Sequence, residues 1–263
     1  KEICENDFSF FCRAYLRVIE PETEFDWNWH LDVVCHTIEK LYYGYYQNLD
    51  INIPPRSLKS IIVSVLFPAW VWTKDPSKKI IGASSSMSLS SKFNIQRREL
   101  IKSSSYQSLW PIVIKEYIDK TSEFENIFNG SMISLSVGSK TTGLGADILL
   151  SDDLLDAKDA FSKSARDSVN NWFSQVFYGR AQNKKTVKRI NINQRLHIND
   201  VSGHIERNHN YERLIIPMQR EEKNNSTIEF DDPRSVGEFL HPARYGKEEK
   251  DDEYKSLGVY GWS

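Results

Sequence analysis

Residues 48–65 read NLDINIPPRSLKSIIVSV: a short β-rich run, two prolines, an arginine, a Lys-Ser pair and a long apolar segment. Strand, loop and helix in that order, with Lys-Ser at the helix start, is the layout of a phosphate-binding loop (Walker A), whose usual form is G-x-x-x-x-G-K-[ST]. Only the last two positions are kept, as Lys59 and Ser60, while Ile53 and Leu58 stand where glycines are expected. A Lys-Ser pair before an apolar run also opens ordinary buried helices, so the rest of the chain must choose between the two readings.

With 263 residues and 40% hydrophobic content the chain can bury one large α/β domain or two modest ones, and nothing in it suggests disorder. Lys and Arg number 34 against 36 Asp and Glu, so the net charge of -2 gives no chain-wide case for nucleic acid, and any such contact must be local. Cys4, Cys12 and Cys35 form no C-x-x-C pair, which argues against a disulfide framework or a structural zinc site and for a reduced, intracellular protein. The most apolar run, IIVSVLFPAWVW, contains Ser64 and Pro68 and falls short of the roughly 20 residues that span a bilayer. No membrane segment or signal peptide is expected.

Apolar periodicity alternates between helical and strand-like, the pattern of a mainly parallel sheet covered by helices. Helices are expected over 8–18 and 29–46, a strand at LDINI, and a helix over SIIVSVLFPAWVW that Pro68 should end or kink. KKIIGASS, SMISLSVG, ADILLSDD and VKRININ read as further strands, SSKFNIQRRELIKSS and ARDSVNNWFSQVFYGRAQ as helices. From about residue 217 charge and turn residues dominate, which suggests a peripheral subdomain or linker.

A loop that hydrolyses a nucleotide needs one acid to hold Mg²⁺ and another to prepare the attacking water. ADILLSDD supplies both: the apolar Ile148, Leu149 and Leu150 lead to Asp152 and Asp153, which should emerge at the carboxyl edge of the sheet, where ligands of open α/β sheets bind. Such a pair can also be a solvated turn or a helix cap. Combined with Lys59 and Ser60, the catalytic reading is preferred.

Four ordered blocks then resemble one family. FDWNWHLDVVCHTIEKLYYG leading into INIPPRSLKS, SVGSKTTGLGADILLSDDLLDAKDA, NNWFSQVFYGRA and INQRLHINDVSGH together resemble the large terminase subunits of tailed bacteriophages, ATP-driven motors that package DNA into proheads. The resemblance runs from about Phe25 to Ser263 and implies a P-loop NTPase fold of the ASCE type, with a P-P-R-x-x-K-S variant of the phosphate loop. Loop backbone N–H groups and a helix N-terminus can face phosphate without glycines if the loop takes a suitable conformation.

On this reading Pro55, Arg56, Ser57, Leu58, Lys59 and Ser60 form the nucleotide loop. Lys59 neutralises the β and γ phosphates, Ser60 and Asp152 hold Mg²⁺, Arg56 meets charge on the γ-phosphate, and Asp153 is the catalytic carboxylate, where many related ATPases carry glutamate. Asn193, Gln194 and Arg195 fall where the family's coupling segment senses the γ-phosphate. Trp29 and His30 fall where the family contacts adenine, although Trp27 and Trp29 also suit helix anchors. A zinc site at His197, Asp200 and His204 fits no common spacing. GSKTTGLGAD, with Lys140, Thr141 and Thr142 near its tip, could be a flexible loop touching DNA or a neighbouring subunit.

The implied organisation is a P-loop ATPase core over 1–210 and a C-terminal linker or lid subdomain over 211–263, the charged EEKDDE run being a solvated loop and the family's nuclease domain being absent. ATP and Mg²⁺ are the expected cofactors. Double-stranded DNA, the portal protein, the small terminase subunit and further copies of the chain in a ring on the prohead are the expected partners, in the cytoplasm of a bacterial host. A helicase-like DNA-dependent ATPase and an inactive prophage remnant that only binds portal or DNA are the alternatives.

Overall fold

A computed structural model describes residues 1–22, 26–140, 143–242 and 246–249. The chain opens with three helices, α1 (Glu2–Asn6), α2 (Phe8–Ile19) and α3 (Trp29–Tyr43). Asp7 caps α2 by accepting from the Phe10 N–H, and α3 stops where Gly44 takes φ 92, a left-handed turn that glycine adopts without a Cβ clash. Strand β1 (Asn48–Asn52) follows, then the 53–60 loop, then a continuous helical stretch formed by a π-helical segment (Ile61–Leu66) and α4 (Phe67–Lys74).

Pro68 does not end this stretch, one of the two expected outcomes: helical turns run through it, and the π-helical segment gives way to α4 at Phe67, with Pro68 in the first turn of α4. Proline cannot donate to the carbonyl four residues back, which is that of Ser64. Two local features absorb the loss: the preceding turns widen, with the Phe67 N–H donating to Ile62 O, and the buried Arg97 Nε donates to the Ser64 carbonyl. Arg97 lies on α5 (Met87–Lys102), which follows β2 (Ile80–Ser84) and leads to α6 (Ser104–Leu109).

The remaining elements are β3 (Ile114–Asp119), β4 (Glu123–Asn126), β5 (Ser131–Ser136), β6 (Ile148–Asp152), α7 (Lys163–Trp172) with a π-helical extension (Phe173–Phe177), β7 (Lys188–Asn193), α8 (Val201–Asn208) and β8 (Glu212–Ile215). All eight strands join one sheet in the order β3-β4-β5-β2-β6-β7-β1-β8, parallel from β5 to β8 and antiparallel across β3, β4 and β5. The fold is therefore α/β, a mostly parallel mixed sheet flanked by helices.

Both faces of the sheet are covered, so its central strands are buried on both sides, and the middle of β6 is apolar on both. In β6, Ile148 and Leu150 pack into the larger core, with Phe8, Phe67 and Trp70, while Leu149 packs into a second core with Trp172, Phe173 and Ile205. The hairpin β3–β4 and the strand β8 were not legible in advance. β8 lies beyond the boundary expected at residue 210, yet pairs in parallel register with β1, Leu49 opposite Glu212. Residues 217–242 return across α3: Asn28 Nδ2 donates to Leu240 O at 2.7 Å, and Phe230 stacks on Trp29 at 6.4 Å. No helix among the described residues is long and apolar enough to cross a membrane. Thr141, Thr142, Phe25 and the tail from residue 250, including most of the EEKDDE run, lie outside the described residues.

Candidate active site

Parallel register brings the ends of three strands together. Asn52 of β1 is level with Asn193 of β7, and Ile192 of β7 with Asp152 of β6, so the 53–60 loop leaves the sheet beside the two carboxylates. Ser60 Oγ donates to Asp152 Oδ1 at 3.0 Å, and Ser64 Oγ, one turn further along the π-helical segment, donates to Asp152 Oδ2 at 2.7 Å. Lys59 Nζ lies 2.9 Å from Asp153 Oδ2 and 3.3 Å from its Oδ1. Lys59, Ser60, Asp152 and Asp153 thus form one cluster.

The loop achieves this without glycine. Arg56 and Leu58 have φ of 60 and 59, and Asp153 has φ 43, all in the left-handed region that costs a non-glycine residue about 1–2 kcal/mol. Leu58 occupies a glycine position of the usual motif and adopts glycine's conformation there. The loop is braced by Ser57 Oγ donating to Pro54 O at 2.6 Å, by the Ile53 N–H donating to Asn193 O at 3.3 Å, and by the Ile62 N–H donating to Leu58 O at 3.1 Å. Leu58→Ile, β-branched and hence more strained at positive φ, is expected to lower stability by about 1–2 kcal/mol. A thermal midpoint that does not fall by a few degrees would show that the loop relaxes freely.

Asp152 is buried, and burial first, then the charge of Asp153, push its carboxyl up to about 7, against the pull of the Ser64 and Ser60 hydroxyls and Lys59. A pair of adjacent carboxylates facing one lysine is short of positive charge, and a cation would supply it. Arg97 stands behind the pair. It is fully buried, its guanidinium is brought down to about 10 by burial and supported by the charge of Asp152, and it reaches Asp152 through Ser64. Gly82 on β2 leaves room for it, since a Cβ there would lie 2.7 Å from Arg97 Nη2.

A buried polar frame holds the strands beneath the loop. Asp50 Oδ1 accepts from Asn191 Nδ2 at 2.6 Å, Ser202 Oγ at 2.9 Å and Asn52 Nδ2 at 3.3 Å, while Asn193 Nδ2 donates to Ser202 Oγ at 3.2 Å. Burial pushes Asp50 up to about 6. Asn193 therefore belongs to this frame. The Gln194 N–H donates to Asp153 Oδ1 at 2.8 Å, so Gln194 meets the candidate catalytic carboxylate through its backbone. Arg195 turns away: its Nε donates to Asp200 Oδ2 at 3.0 Å.

Asp200 caps α8, accepting from the Gly203, Leu196 and His197 N–H groups, while His204 bonds to Ser174 at 2.7 Å. His197, Asp200 and His204 therefore do not converge on a metal. Arg56 is exposed at the loop, and Pro55 is exposed beside it.

Trp29 and His30 sit behind the loop rather than open to it. The Trp29 ring is occupied by Phe230 and by the Arg234 guanidinium, 5.4 Å from its centroid. His30 is 2% exposed, and neither ring nitrogen has a hydrogen-bond partner. Burial first, then the nearby His241, bring its imidazole down from 6.5 to about 4, the Ser57 backbone opposing. Unfolded, the ring takes a proton below about 6.5; folded, it stays neutral to about 4. His30 therefore contributes stability fully present above pH 6.5 and lost as pH falls toward 4, about 3 kcal/mol across the window. His30→Met is expected to flatten this part of the profile. Urea unfolding near pH 5 and pH 7 checks it, and an equal drop in the variant would assign the loss to other groups.

Ser64, Arg97 and Asp50 were not foreseen. The one signal for Arg97 was a charged residue among the apolar Phe93, Leu100 and Ile101 of a helix; for Ser64 and Asp50, a polar residue inside an apolar run. No protein-family model matches this chain, and no curated protein matches it either.

Proposed function

We propose that this chain is the ATP-hydrolysing motor domain of a terminase large subunit, driving double-stranded DNA into proheads. The observation that carries the ATPase reading is the pairing of Ser60 with Asp152 and of Lys59 with Asp153 across strands far apart in sequence. One strand, β7, stands between the loop strand β1 and the acid strand β6, an order that supports a P-loop fold of the ASCE type. The DNA-packaging part of the reading rests on the four blocks of sequence resemblance.

The donor set suits Mg²⁺ and a polyphosphate: one hydroxyl and one carboxylate for a hard cation, one lysine for phosphate oxygens, and a loop bent by left-handed residues at a helix start. Ser60 and Asp152 would hold Mg²⁺, which when bound supplies charge neutralisation for phosphoryl transfer. Lys59 exchanges Asp153 for the polyphosphate. That exchange frees the Asp153 carboxylate to orient a water and take its proton, with the Gln194 N–H fixing the other side of Asp153. Arg56, exposed and at positive φ, is free to meet charge on the transferred group. Asn193 holds the loop strand and the 194–200 segment in register through Ser202. Adenine contact by Trp29 and His30 requires residues 217–242 to move off Trp29.

In the assembled motor the portal protein, the small subunit and further copies in a ring would be the partners, in the cytoplasm of a bacterial host. Mg²⁺-dependent release of phosphate from ATP by the purified chain, measured with and without duplex DNA, tests the proposal. Absence of both turnover and nucleotide binding contradicts it, and strand separation by the chain alone would favour a helicase-like ATPase.

A further inference from the structure

Between Asp167 and Asp200 the chain carries no acid, and Arg180, Lys184, Lys185, Lys188 and Arg189 fall within ten residues of that stretch, on a chain of net charge -2. Parallel register gathers this segment at the amino edge of the sheet: Lys188 begins β7, Lys79 immediately precedes β2, and the Arg189 N–H donates to Gln47 O just before β1. Lys79, Lys184 and Lys185 form no ion pair among the described residues, and Lys188 Nζ donates to the Tyr46 carbonyl at 3.3 Å. Arg189 lies buried behind them, with Asn48 Oδ1 and Tyr178 O as its acceptors, so its charge adds to theirs. Of the acids on this edge, Asp75 is paired with Lys78 at 3.3 Å, Asp147 accepts from the Lys79 N–H and Glu212 from Thr227 Oγ1. Lys79, Lys184, Lys185, Lys188 and Arg189 therefore stand in excess over Asp147 and Glu212, and the edge is locally basic.

A lysine run is ordinarily a solvated loop, and this one differs in being braced. The Gln182 N–H donates to Ala146 O, the Lys185 N–H to Asn183 Oδ1 and the Val187 N–H to Asn183 O, each at 2.9 Å, and Gln47 Nε2 donates to Lys184 O at 2.8 Å. Gln182, Asn183, Lys184, Lys185 and Thr186 are all exposed, and all belong to the residue types that meet phosphate oxygens. A loop fixed in this way loses less freedom when a ligand meets it. Beside it the turn after Gly44 holds Tyr45 77% exposed, next to Lys188, whose Nζ lies 3.6 Å from where a Gly44 Cβ would be. Lysine ammoniums are point charges that meet phosphates whatever the bases are. A single strand is gripped by successive stacked rings. Of the exposed rings here, Tyr43 is covered by Lys74 Nζ at 5.3 Å, which leaves Tyr45.

We propose that this rim, the 182–186 loop with Lys79, Lys188 and Tyr45, is a docking surface for the phosphate backbone of duplex DNA and reads no sequence. That the polyanion is duplex DNA rests on the packaging reading; that the rim takes a polyphosphate backbone rests on its charge and its bracing. Strand β7 runs from Lys188 to Asn193, so the rim lies about 17 Å from the strand ends that hold the candidate active site, on the opposite edge of the sheet. DNA held here leaves the nucleotide loop unobstructed, and DNA binding and ATP hydrolysis can be measured separately. The probes are two fluorescein-labelled duplexes of about 30 base pairs and unrelated sequence, read by anisotropy from about 50 to 200 mM salt.

Lys184→Gln with Lys185→Gln, both at exposed positions, is expected to weaken binding of both duplexes equally, by at least about tenfold at the low-salt end, and to reduce the salt slope by about two. The same double change at Lys92 on α5 and Lys120 at the carboxyl end of β3, both exposed, should leave affinity and slope as in the parent. ATP hydrolysis without DNA should equal the parent's in the rim variant. Absence of duplex binding by the parent at the low-salt end, a rim variant with parental affinity and slope, an equal loss from the Lys92 and Lys120 changes, tighter binding of a single strand of the same length, or displacement by polyglutamate as effective as by unlabelled duplex would overturn the inference. Duplex binding that is lost with the rim lysines, in a chain that turns over no ATP, would support the rim while contradicting the ATPase reading. A melting curve checks that the double variant folds; if it does not, the two single substitutions, each expected to lower the slope by about one, decide the matter.

Discussion

Lys59→Ala is expected to reduce Mg²⁺-dependent ATP hydrolysis by about 10²–10³-fold or more, the size of effect seen when one charge-stabilising donor is removed from a reacting centre. Lys59 is the only cation within ion-pair distance of Asp153 among the described residues, and it is almost completely buried. Its removal takes away the lysine's share of the counter-charge on the polyphosphate, and the same change leaves the Asp153 carboxylate with the Gln194 N–H as its remaining donor among the described residues. Global stability should change little, because Asp153, the partner left behind, is partly open to water and can be solvated. Single-turnover hydrolysis and a melting curve measured together separate the two effects. Turnover equal to the parent's would remove Lys59 from the reaction.

The second large effect distinguishes the two carboxylates. Asp153→Asn is expected to slow turnover by about 10²–10⁴-fold, the usual contribution of a general base. Nucleotide should bind at least as well as before, because Lys59 no longer has to leave an ion pair to meet phosphate. Asp152→Asn should act in the opposite sense, removing the Mg²⁺ dependence of nucleotide binding while relieving the burial that pushes this carboxyl up to about 7. Its chain without nucleotide should be at least as resistant to urea as the parent, since an amide can stay neutral between the Ser60 and Ser64 hydroxyls. Binding isotherms with and without Mg²⁺ for both variants make the comparison, and exchanged phenotypes would reverse the two roles.

Local chemistry made much of this readable from the chain. LDINI, ADILLSDD and VKRININ are apolar runs with polar residues at or near their ends, and each contains a strand of the sheet, with Asn52, Asp152 and Asn193 at the carboxyl ends. Lys59-Ser60 and Asp152-Asp153 could be paired in advance because a phosphate loop without a strand-end acid has no way to hold a metal. The edge hairpin β3–β4 and the strand β8 escaped notice because IKEYID and ERLI carry as much charge as a surface loop. Only pairing with β4 in the first case and β1 in the second makes them strands.

What the sequence determined by itself is the alternation of strand and helix and the identity of the two polar pairs, since these follow from periodicity and residue chemistry within a few turns of chain. What only the tertiary structure decided is how distant groups satisfy one another. Pro68 stays inside a helical stretch because Arg97, from another helix, donates to the carbonyl that the proline leaves free. Asp50 stays buried because Asn191 and Ser202, from a neighbouring strand and helix, donate to it. Arg195 turns from the candidate active site to Asp200 because that carboxylate is already fixed as a helix cap. A buried polar group must find a partner wherever one is within reach, and which partner is within reach is set by the packing of the whole sheet and its helices.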